Sequence, residues 1–508
     1  MQTAVQPISE LCLQRMSERI ECSTGLHFPP ARFADLQRGL AQASRESGCS
    51  DPCVYAESLL SRDLSHADIQ VLAGSLTIGE THFFRDDRAF EFLETTLLPE
   101  LIAAKRCQDR TLRIWSAGCA AGEEPYSIAI LLHRLIPDLK DWHITILGTD
   151  INPKVLARAA SGIYSEWSFR DTPAWVKPRY FVQHPHGHYA IQPWLKPMVK
   201  FACLNLADPD YPSVLNHTHA LDLIICRNVL LYFAPSRIPQ VVRRFHQSLL
   251  ENGHLVIGAV EACQIAFPAF TSIPAPGVAL YRKNGASSPQ TIAPWNEATM
   301  IDRTGNMLPP VMPEAPIPLP AEPAALRAVS PAASPLSQQP PEVDAEALAN
   351  QRSAYAVAND FYAAGRYPEA RATLLAVIGG PRHTDPRAAI LLIHCHANVG
   401  ELAEALVWCE RALATIRTDV QLHFLHASIL QELQRDEEAL LALRNVLFLE
   451  PGHVSAHVTM ANLHRRRNEM AAANQHLANV RKILAQQGEH EKPPRCGGLT
   501  VGHLNATS

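Results

Sequence analysis

Trp115-Ser-Ala-Gly-Cys-Ala-Ala-Gly-Glu-Glu-Pro-Tyr-Ser127 decides how this chain is read. The β-rich run at residues 112–116 feeds into it, and an apolar helical stretch at 126–135 leaves it. Gly118 and Gly122 let a ligand approach the backbone closely. Pro125 suits a first helical turn, where its missing N–H is no loss. A bare Gly-x-x-x-Gly turn is equally well a tight strand-to-helix connection. The helix start carries Glu123 and Glu124, which repel the phosphate that a dinucleotide fold would place there. A cationic ligand tolerates them.

Outward from this turn, β-rich runs at 112–116, 144–148, 199–204, 221–226, 255–259 and 279–282 alternate with helical stretches. That order predicts an α/β domain with a mostly parallel, doubly wound sheet. Between Asp150 and Val199 the pattern changes. Eight aromatic residues from Tyr164 to Trp194 surround the turn His184-Pro-His-Gly-His188, which predicts an inserted hairpin subdomain at about 162–198. His184, His186 and His188 would share a face on a strand, but Pro185 and Gly187 break such a strand, so no metal site is expected. Residues 1–76 carry helix-period apolar positions, such as Leu11, Met16 and Ile20, with breaks near Pro29, Gly48 and Pro52; a small helical bundle is expected.

Residues 284–344 hold 13 of the 39 prolines and few large apolar side chains, too little burial to offset ordering entropy, so a Pro-rich disordered linker is expected. A repeat follows. Gly365-Arg-Tyr-Pro-Glu-Ala370, Gly400-Glu-Leu-Ala-Glu-Ala405, Gln434-Arg-Asp-Glu-Glu-Ala439 and Asn468-Glu-Met-Ala-Ala-Ala473 set their last alanines 35, 34 and 34 residues apart. This period looks like all-α tetratricopeptide repeats over 345–486, with a disordered tail at 487–508.

With 508 residues the chain exceeds one hydrophobic core, and about three domains are expected. A net charge of −5 argues against non-specific nucleic-acid binding. No apolar run reaches the roughly 18 residues of a membrane span, and the N-terminus lacks an apolar signal-peptide core. Twelve cysteines without a CxxC pair suggest reduced thiols in a cytosol. A cytoplasmic protein is expected.

The quoted turn, together with Thr77-Ile-Gly-Glu-Thr-His-Phe-Phe-Arg85, Gly148-Thr-Asp-Ile-Asn152, Asn205-Leu206 and Cys226-Arg-Asn-Val-Leu-Leu-Tyr-Phe233, closely resembles the CheR family of chemoreceptor methyltransferases, over roughly residues 8–283. The resemblance implies a class I S-adenosylmethionine-dependent (Rossmann-like) methyltransferase domain at 77–283 behind an N-terminal helical CheR domain at 1–76. It implies methyl transfer from S-adenosylmethionine to receptor glutamates, with S-adenosylhomocysteine as product. The methyl-accepting chemoreceptor's cytoplasmic domain is the implied partner, and the repeats are expected to bind a further protein. Residues 1–75 hold six arginines against nine acidic residues, which leaves a strongly basic receptor-docking face in doubt.

By the same resemblance, Glu123 is the acidic group near the methionine part of the cofactor, and Thr81 and Arg85 touch the cofactor from above. Asp150 ends a strand where a carboxylate can accept both ribose hydroxyls, and it is also a candidate helix N-cap. Asn205 and Leu206 are implied adenine contacts; Arg227 and Asn228 are implied cofactor contacts, although an arginine at a strand end also suits a surface ion pair. Gly79 stands where some relatives carry a contacting Asn. Phe83 and Phe84 are read as core packing. A receptor glutamate is already ionised at neutral pH, so no general base is needed. Tyr232 is the candidate catalytic residue, shaping the methyl-acceptor pocket, with sheet packing as its alternative role. The inserted hairpin is short beside relatives that grasp a receptor's C-terminal tether, so tether-independent binding is expected. Two other readings stay open: a methyltransferase for a non-receptor carboxylate, and a non-enzymatic scaffold that senses the cofactor.

Overall fold

The computed structural model describes residues 8–77, 79–263, 265, 267–284, 345–378 and 386–486. The stretches read above as linker and tail, from 285 to 344 and from 487 on, lie outside the described residues. The described residues 8–284 and 354–486 belong to one compact unit. The site and the packing described below lie in it.

Four helices open the chain: α1 (Glu10–Thr24), α2 (Phe33–Glu46), α3 (Pro52–Leu60) and α4 (His66–Leu76). Their starts are encoded locally. Ser9 and Asp51 accept backbone N–H groups at the starts of α1 and α3, and Ser65 forms a reciprocal capping box with Asp68 on α4. Met16 and Ile20 of α1 meet Leu36, Leu40, Leu59 and Leu72, all fully buried.

The central sheet has seven strands: β1 (Thr111–Ala117), β2 (His143–Asp150), β6 (Val199–Cys203), β7 (Leu221–Cys226), β8 (Leu249–Gly258), β9 (Phe270–Ile273) and β10 (Val278–Lys283). They lie in the order β6-β2-β1-β7-β8-β10-β9, with the first five parallel and β10 antiparallel to both of its neighbours, β8 and β9. Side chains alternate across the sheet. Ile114, Ile146, Leu223 and Val256 enter one core, while Trp115, Leu147, Ile224 and Leu255 enter the other. The first core is covered by α5 (Asp87–Phe92), α6 (Leu98–Arg106) and α7 (Glu123–Leu135). The second is covered by the opening helices and, beyond α8 (Pro153–Ser161) and α9 (Val176–Tyr180), by α10 (Ile238–Ser248). Trp115 shows the packing on that side: fully buried, it stands edge-on to Tyr211 and Phe245 at 5.3 and 5.4 Å and donates its indole N–H to Thr149 Oγ1 at 2.8 Å. Burial of such a side chain contributes about 1.5–3 kcal/mol.

The insertion after α8 is a three-stranded antiparallel sheet of β3 (Ile163–Tyr164), β5 (His188–Ile191) and β4 (Phe181–His184). Its aromatic residues have a packing partner. Phe83 lies against Tyr164, Phe169 and Phe181 at 4.8, 5.1 and 4.9 Å, so it and the buried Phe84 are core side chains. A short helix, α11 (Ala259–Ala262), follows β8.

The repeats form helix pairs: α14 (Pro386–Val399) with α15 (Leu402–Thr415), α16 (Val420–Glu432) with α17 (Asp436–Leu449), and α18 (Val454–Arg466) with α19 (Met470–Gln486), while α12 (Ala345–Ala363) meets α13 (Tyr367–Ile378) through Ala358, Ala370 and Leu374 and the Tyr362–Tyr367 ring contact. Ala370, Ala405, Ala439 and Ala473 are all fully buried. The first residue of each sequence motif adopts the left-handed conformation in the turn inside its pair: Gly365 (φ 76°), Gly400 (φ 90°), Gln434 (φ 61°) and Asn468 (φ 59°). Glycine and asparagine carry that conformation at least cost.

Candidate active site

A cavity of about 410 Å³ opens at the carboxyl edge of β1, β2, β6 and β7, where open α/β sheets bind ligands. The turn after β1 forms its floor. Gly118 (φ 78°) and Gly122 (φ 89°) are both left-handed, and a Cβ on Gly118 would lie 2.3 Å from Val229 Cγ2. Gly118 and Cys119 donate their N–H groups to Thr149 O at 2.7 and 2.8 Å, which ties the turn to β2.

Two half-buried carboxylates, Asp150 and Glu124, flank this turn. Asp150 Oδ2 accepts the Ala120 N–H at 3.0 Å and Oδ1 accepts the Asn152 N–H at 2.9 Å. The cap of α8 comes instead from Asn152, whose Oδ1 accepts from Lys154 N. Glu124 accepts from Ser116 Oγ at 2.7 Å and from Arg227 Nη1 at 3.3 Å. Burial pushes the Asp150 carboxyl up, against its backbone N–H partners, and pushes the Glu124 carboxyl up, against Arg227 and Ser116. Desolvated carboxylates of this kind gain from cationic and hydroxyl partners.

Arg227 is 8% exposed and spans the cavity wall: Nη2 donates to Arg85 O at 2.8 Å and to Asp86 Oδ2 at 3.2 Å. Its Nε–H is buried without a protein partner, as is His82 Nδ1. Arg227 is therefore a buried bridging group and not a surface ion pair. The next residues, 228–231, turn under the cavity because Glu261 collects their N–H groups, from Asn228 at 2.7 Å, Val229 at 2.8 Å, Leu230 at 2.8 Å and Leu231 at 3.4 Å. Asn228 takes the left-handed conformation (φ 59°), which asparagine tolerates. Asn205 is held by Ser23 O and Asp208, and Tyr211 donates to Leu206 O at 2.9 Å. Thr81, Arg85 and Tyr232 close the cavity from the other side, with Arg32 and Arg170 at the same wall.

The sequence model of the CheR methyltransferase SAM binding domain matches residues 79–276. The chemotaxis protein methyltransferase of Borreliella burgdorferi is 33% identical over 251 residues, which cover 49% of this chain and 87% of that protein. A probable chemotaxis protein methyltransferase of Rhizobium etli is 34% identical over 245 residues, 48% of this chain and 89% of its own length. The chain belongs to the CheR methyltransferase family. Chemotaxis protein methyltransferase 1 of Pseudomonas aeruginosa is 35% identical over 198 residues, 38% of this chain and 69% of that protein. Among solved structures, a tetratricopeptide repeat protein from Parabacteroides merdae overlaps 31% of this chain and 58% of its own, at 20% identity and a TM-score of 0.27. The repeat assignment here rests on the four helix pairs themselves.

Of the site residues expected in this CheR protein, Thr81, Arg85, Asp150, Asn205, Leu206, Arg227, Asn228 and Tyr232 all line the cavity. Glu123 does not. It is 1% exposed, accepts from Ser168 Oγ at 3.1 Å on the side of the insertion, and leaves the cavity to Glu124. Adjacent residues on a helix point about 100° apart, and of the two carboxylates it is Glu124 that lines the cavity. Gly79 also lines the cavity, and a Cβ there would lie 2.7 Å from Val155 Cγ1, so packing against α8 leaves little room for a larger residue. Glu124, Glu261, His82, Arg32 and Arg170 were not singled out from the sequence. Only the adjacent pair Glu123-Glu124 carried a usable signal, and it did not say which member turns inward.

The residues present fit an adenosyl sulfonium cofactor. Two half-buried carboxylates in the cavity lining suit an ammonium and ribose hydroxyls, and the unpartnered Arg227 Nε–H suits a carboxylate. Among the described residues no group of three or more His, Cys, Asp or Glu is placed to hold a metal ion, and no helix is long and apolar enough to cross a membrane.

Proposed function

We propose that this CheR protein transfers a methyl group from S-adenosylmethionine to glutamate side chains in the cytoplasmic domain of a methyl-accepting chemoreceptor. The products are a glutamate methyl ester and S-adenosylhomocysteine, and the repeats serve protein–protein regulation. The observation that carries this reading is that Glu124, in the first turn of α7, and Asp150, at the end of β2, both line one cavity of about 410 Å³.

The cofactor supplies an electrophilic methyl group when bound. Glu124 would hold its ammonium, Asp150 its ribose hydroxyls, and Asn205 with Leu206 its adenine, while the Arg227 Nε–H would meet its carboxylate. The chain's own work is alignment and exclusion of water, because an ionised acceptor needs no base. Arg32, Arg85 and Arg170 line the cavity, Arg170 paired with Glu80 at 3.1 Å, and together they favour an anionic side chain there. Burial, with Arg170 and Arg85 nearby, pushes the His82 imidazole down, so it stays neutral at physiological pH and adds no proton donor of carboxylate-quenching strength. Tyr232 lies beside Arg32, whose guanidinium sits 5.6 Å from its ring centre, and the peptide of Tyr232 accepts the His27 N–H at 2.8 Å. This support from the N-terminal helices makes Tyr232 suited to shape the acceptor pocket.

The organisation we adopt is an N-terminal domain at 1–76, a methyltransferase domain at 77–283, and repeats at 345–486, in a cytoplasmic protein. Labelled methyl transfer to a purified receptor domain, released by mild alkali, tests the reaction. Labelling of other carboxylate proteins alone, or cofactor binding without transfer, would overturn it.

A further inference from the structure

The repeats grip the methyltransferase domain at the edge of the sheet opposite the cofactor cavity. Arg113, near the amino end of β1, donates Nη1 to Glu432 at the end of α16, and His217 Nδ1 meets the other oxygen of the same carboxylate. The Arg113 and Glu432 side chains are only 9% and 4% exposed. Arg113 is held in place by its own domain, donating Nε to His219 O at 3.3 Å and its backbone N–H to Asp222 at 2.9 Å. Beside this pair the short turn Val214–Asn216 enters the repeats. Val214 is fully buried in an apolar cluster with Ile393 and Ala397 of α14 and Leu425 and Ile429 of α16. Further along the same edge, Gln247 Nε2 donates to Ala363 O at 2.8 Å.

α14 and α16 are the first helices of consecutive pairs, and stacked first helices build the extended surface with which such repeats take ligands. Here that surface already has an occupant with recognisable chemistry: one small aliphatic side chain in an apolar seat, and cationic or imidazole N–H donors on a buried carboxylate. A buried carboxylate discriminates strongly, because an occupant without such a donor leaves it desolvated and unpaired. Burial raises the Glu432 carboxyl, but Arg113, His217 and Lys200 outweigh it and hold the group well below the usual carboxylate range, so it stays charged.

We propose that the face formed by α14 and α16 is a peptide-binding site filled in cis by residues 213–218. An external segment that seats a small aliphatic side chain and brings a guanidinium or imidazole to Glu432 competes with the methyltransferase domain for it. The partner of the repeats is thus a basic-aliphatic segment, and its binding and domain docking exclude one another. This inference does not depend on the acceptor of the methyl group, since none of its readouts is methyl transfer.

The test uses the full chain and a fluorescein-labelled synthetic peptide with the sequence of residues 211–220. Val214→Asp withdraws the chain's own turn, so the variant should bind the peptide at least tenfold more tightly than the unaltered chain by fluorescence anisotropy. Adding Glu432→Ala to it should abolish the gain. Equal binding by all three proteins overturns the proposal. Hydrogen exchange on the unaltered chain guards against a variant that misfolds. The amides of Leu215 and Thr218, bonded to Ser213 Oγ at 3.2 Å and Ser213 O at 3.1 Å, should exchange faster when peptide is in excess. Unchanged exchange at peptide saturation, or failure to saturate at millimolar peptide, overturns it as well.

Discussion

Glu261 Oε2 accepts the Asn228 N–H at 2.7 Å, so a side chain beyond the end of β8 sets the backbone path of the loop beyond β7. The same carboxylate also holds Val229, Leu230 and Leu231. Replacing Glu261 by Ala leaves these donors buried without their acceptor and should cost about 1.5–3 kcal/mol of stability. Calorimetry should show binding of S-adenosylhomocysteine weakened at least tenfold. Unchanged affinity with unchanged melting would remove Glu261 from the site.

The two glutamates at the start of α7 should separate cleanly. Glu124→Gln removes the cavity-facing carboxylate and the charge opposite Arg227, and S-adenosylhomocysteine affinity should fall at least tenfold. Glu123→Gln should stay within about twofold, because that side chain bonds Ser168 away from the cavity. The reverse order would restore the reading drawn from the sequence.

Gly118→Ala places a Cβ in a left-handed residue (φ 78°) at 2.3 Å from Val229 Cγ2. The conformation alone costs about 1–2 kcal/mol, and the clash adds to it. A lowered melting temperature is expected, with loss of cofactor binding. Gly452→Ala, where an added Cβ meets nothing within 4 Å, is the matched control and should melt as the unaltered chain does.

Acidification should loosen the repeats and the methyltransferase domain together. Burial lowers His394, His426 and His476 of the repeats and His246 of α10 to about 4, from an ordinary value near 6.5. A histidine whose folded value is depressed contributes stability above the unfolded value, and that contribution is lost as pH falls from about 6.5 toward 4. Glu124 and Asp150 have raised folded values, so protonation of these groups favours the folded domain. Hydrogen exchange at pH 7 and pH 5, corrected for intrinsic rates, should show protection lost in α10 as well as in α14, α16 and α19.

Tyr232→Phe keeps the ring beside Arg32 and removes only the hydroxyl. If the hydroxyl shapes the acceptor pocket, turnover on a receptor should fall while S-adenosylhomocysteine affinity holds. Equal turnover would leave Tyr232 with packing alone.

Much of this architecture is legible in the residues. The β-rich runs locate β1, β2, β6, β7, β8 and β10, because buried parallel strands need unbroken apolar stretches. Phe270–Ile273 escapes notice, being short and following Pro268, yet it pairs with β10 as β9. The repeat alanines and turn residues announce themselves through their period. The choice between Glu123 and Glu124 does not, since helix phase relative to the cavity is a tertiary property. Glu261 sits in an unremarked Ala-Val-Glu-Ala run, and the Arg113–Glu432 contact joins residues 319 positions apart, beyond any local pattern.

Strand β1 is anchored at both ends by side chains with separate duties: Arg113 to the repeats, and Ser116 to Glu124 at the cavity. Two residues, Ile114 and Trp115, lie between those anchors, which stand three steps of extended chain, about 10 Å, apart. A chain cut before the repeats would bare the Val214 side chain to water and leave the Arg113 guanidinium without the Glu432 carboxylate, so the repeats complete the surface of the domain they follow.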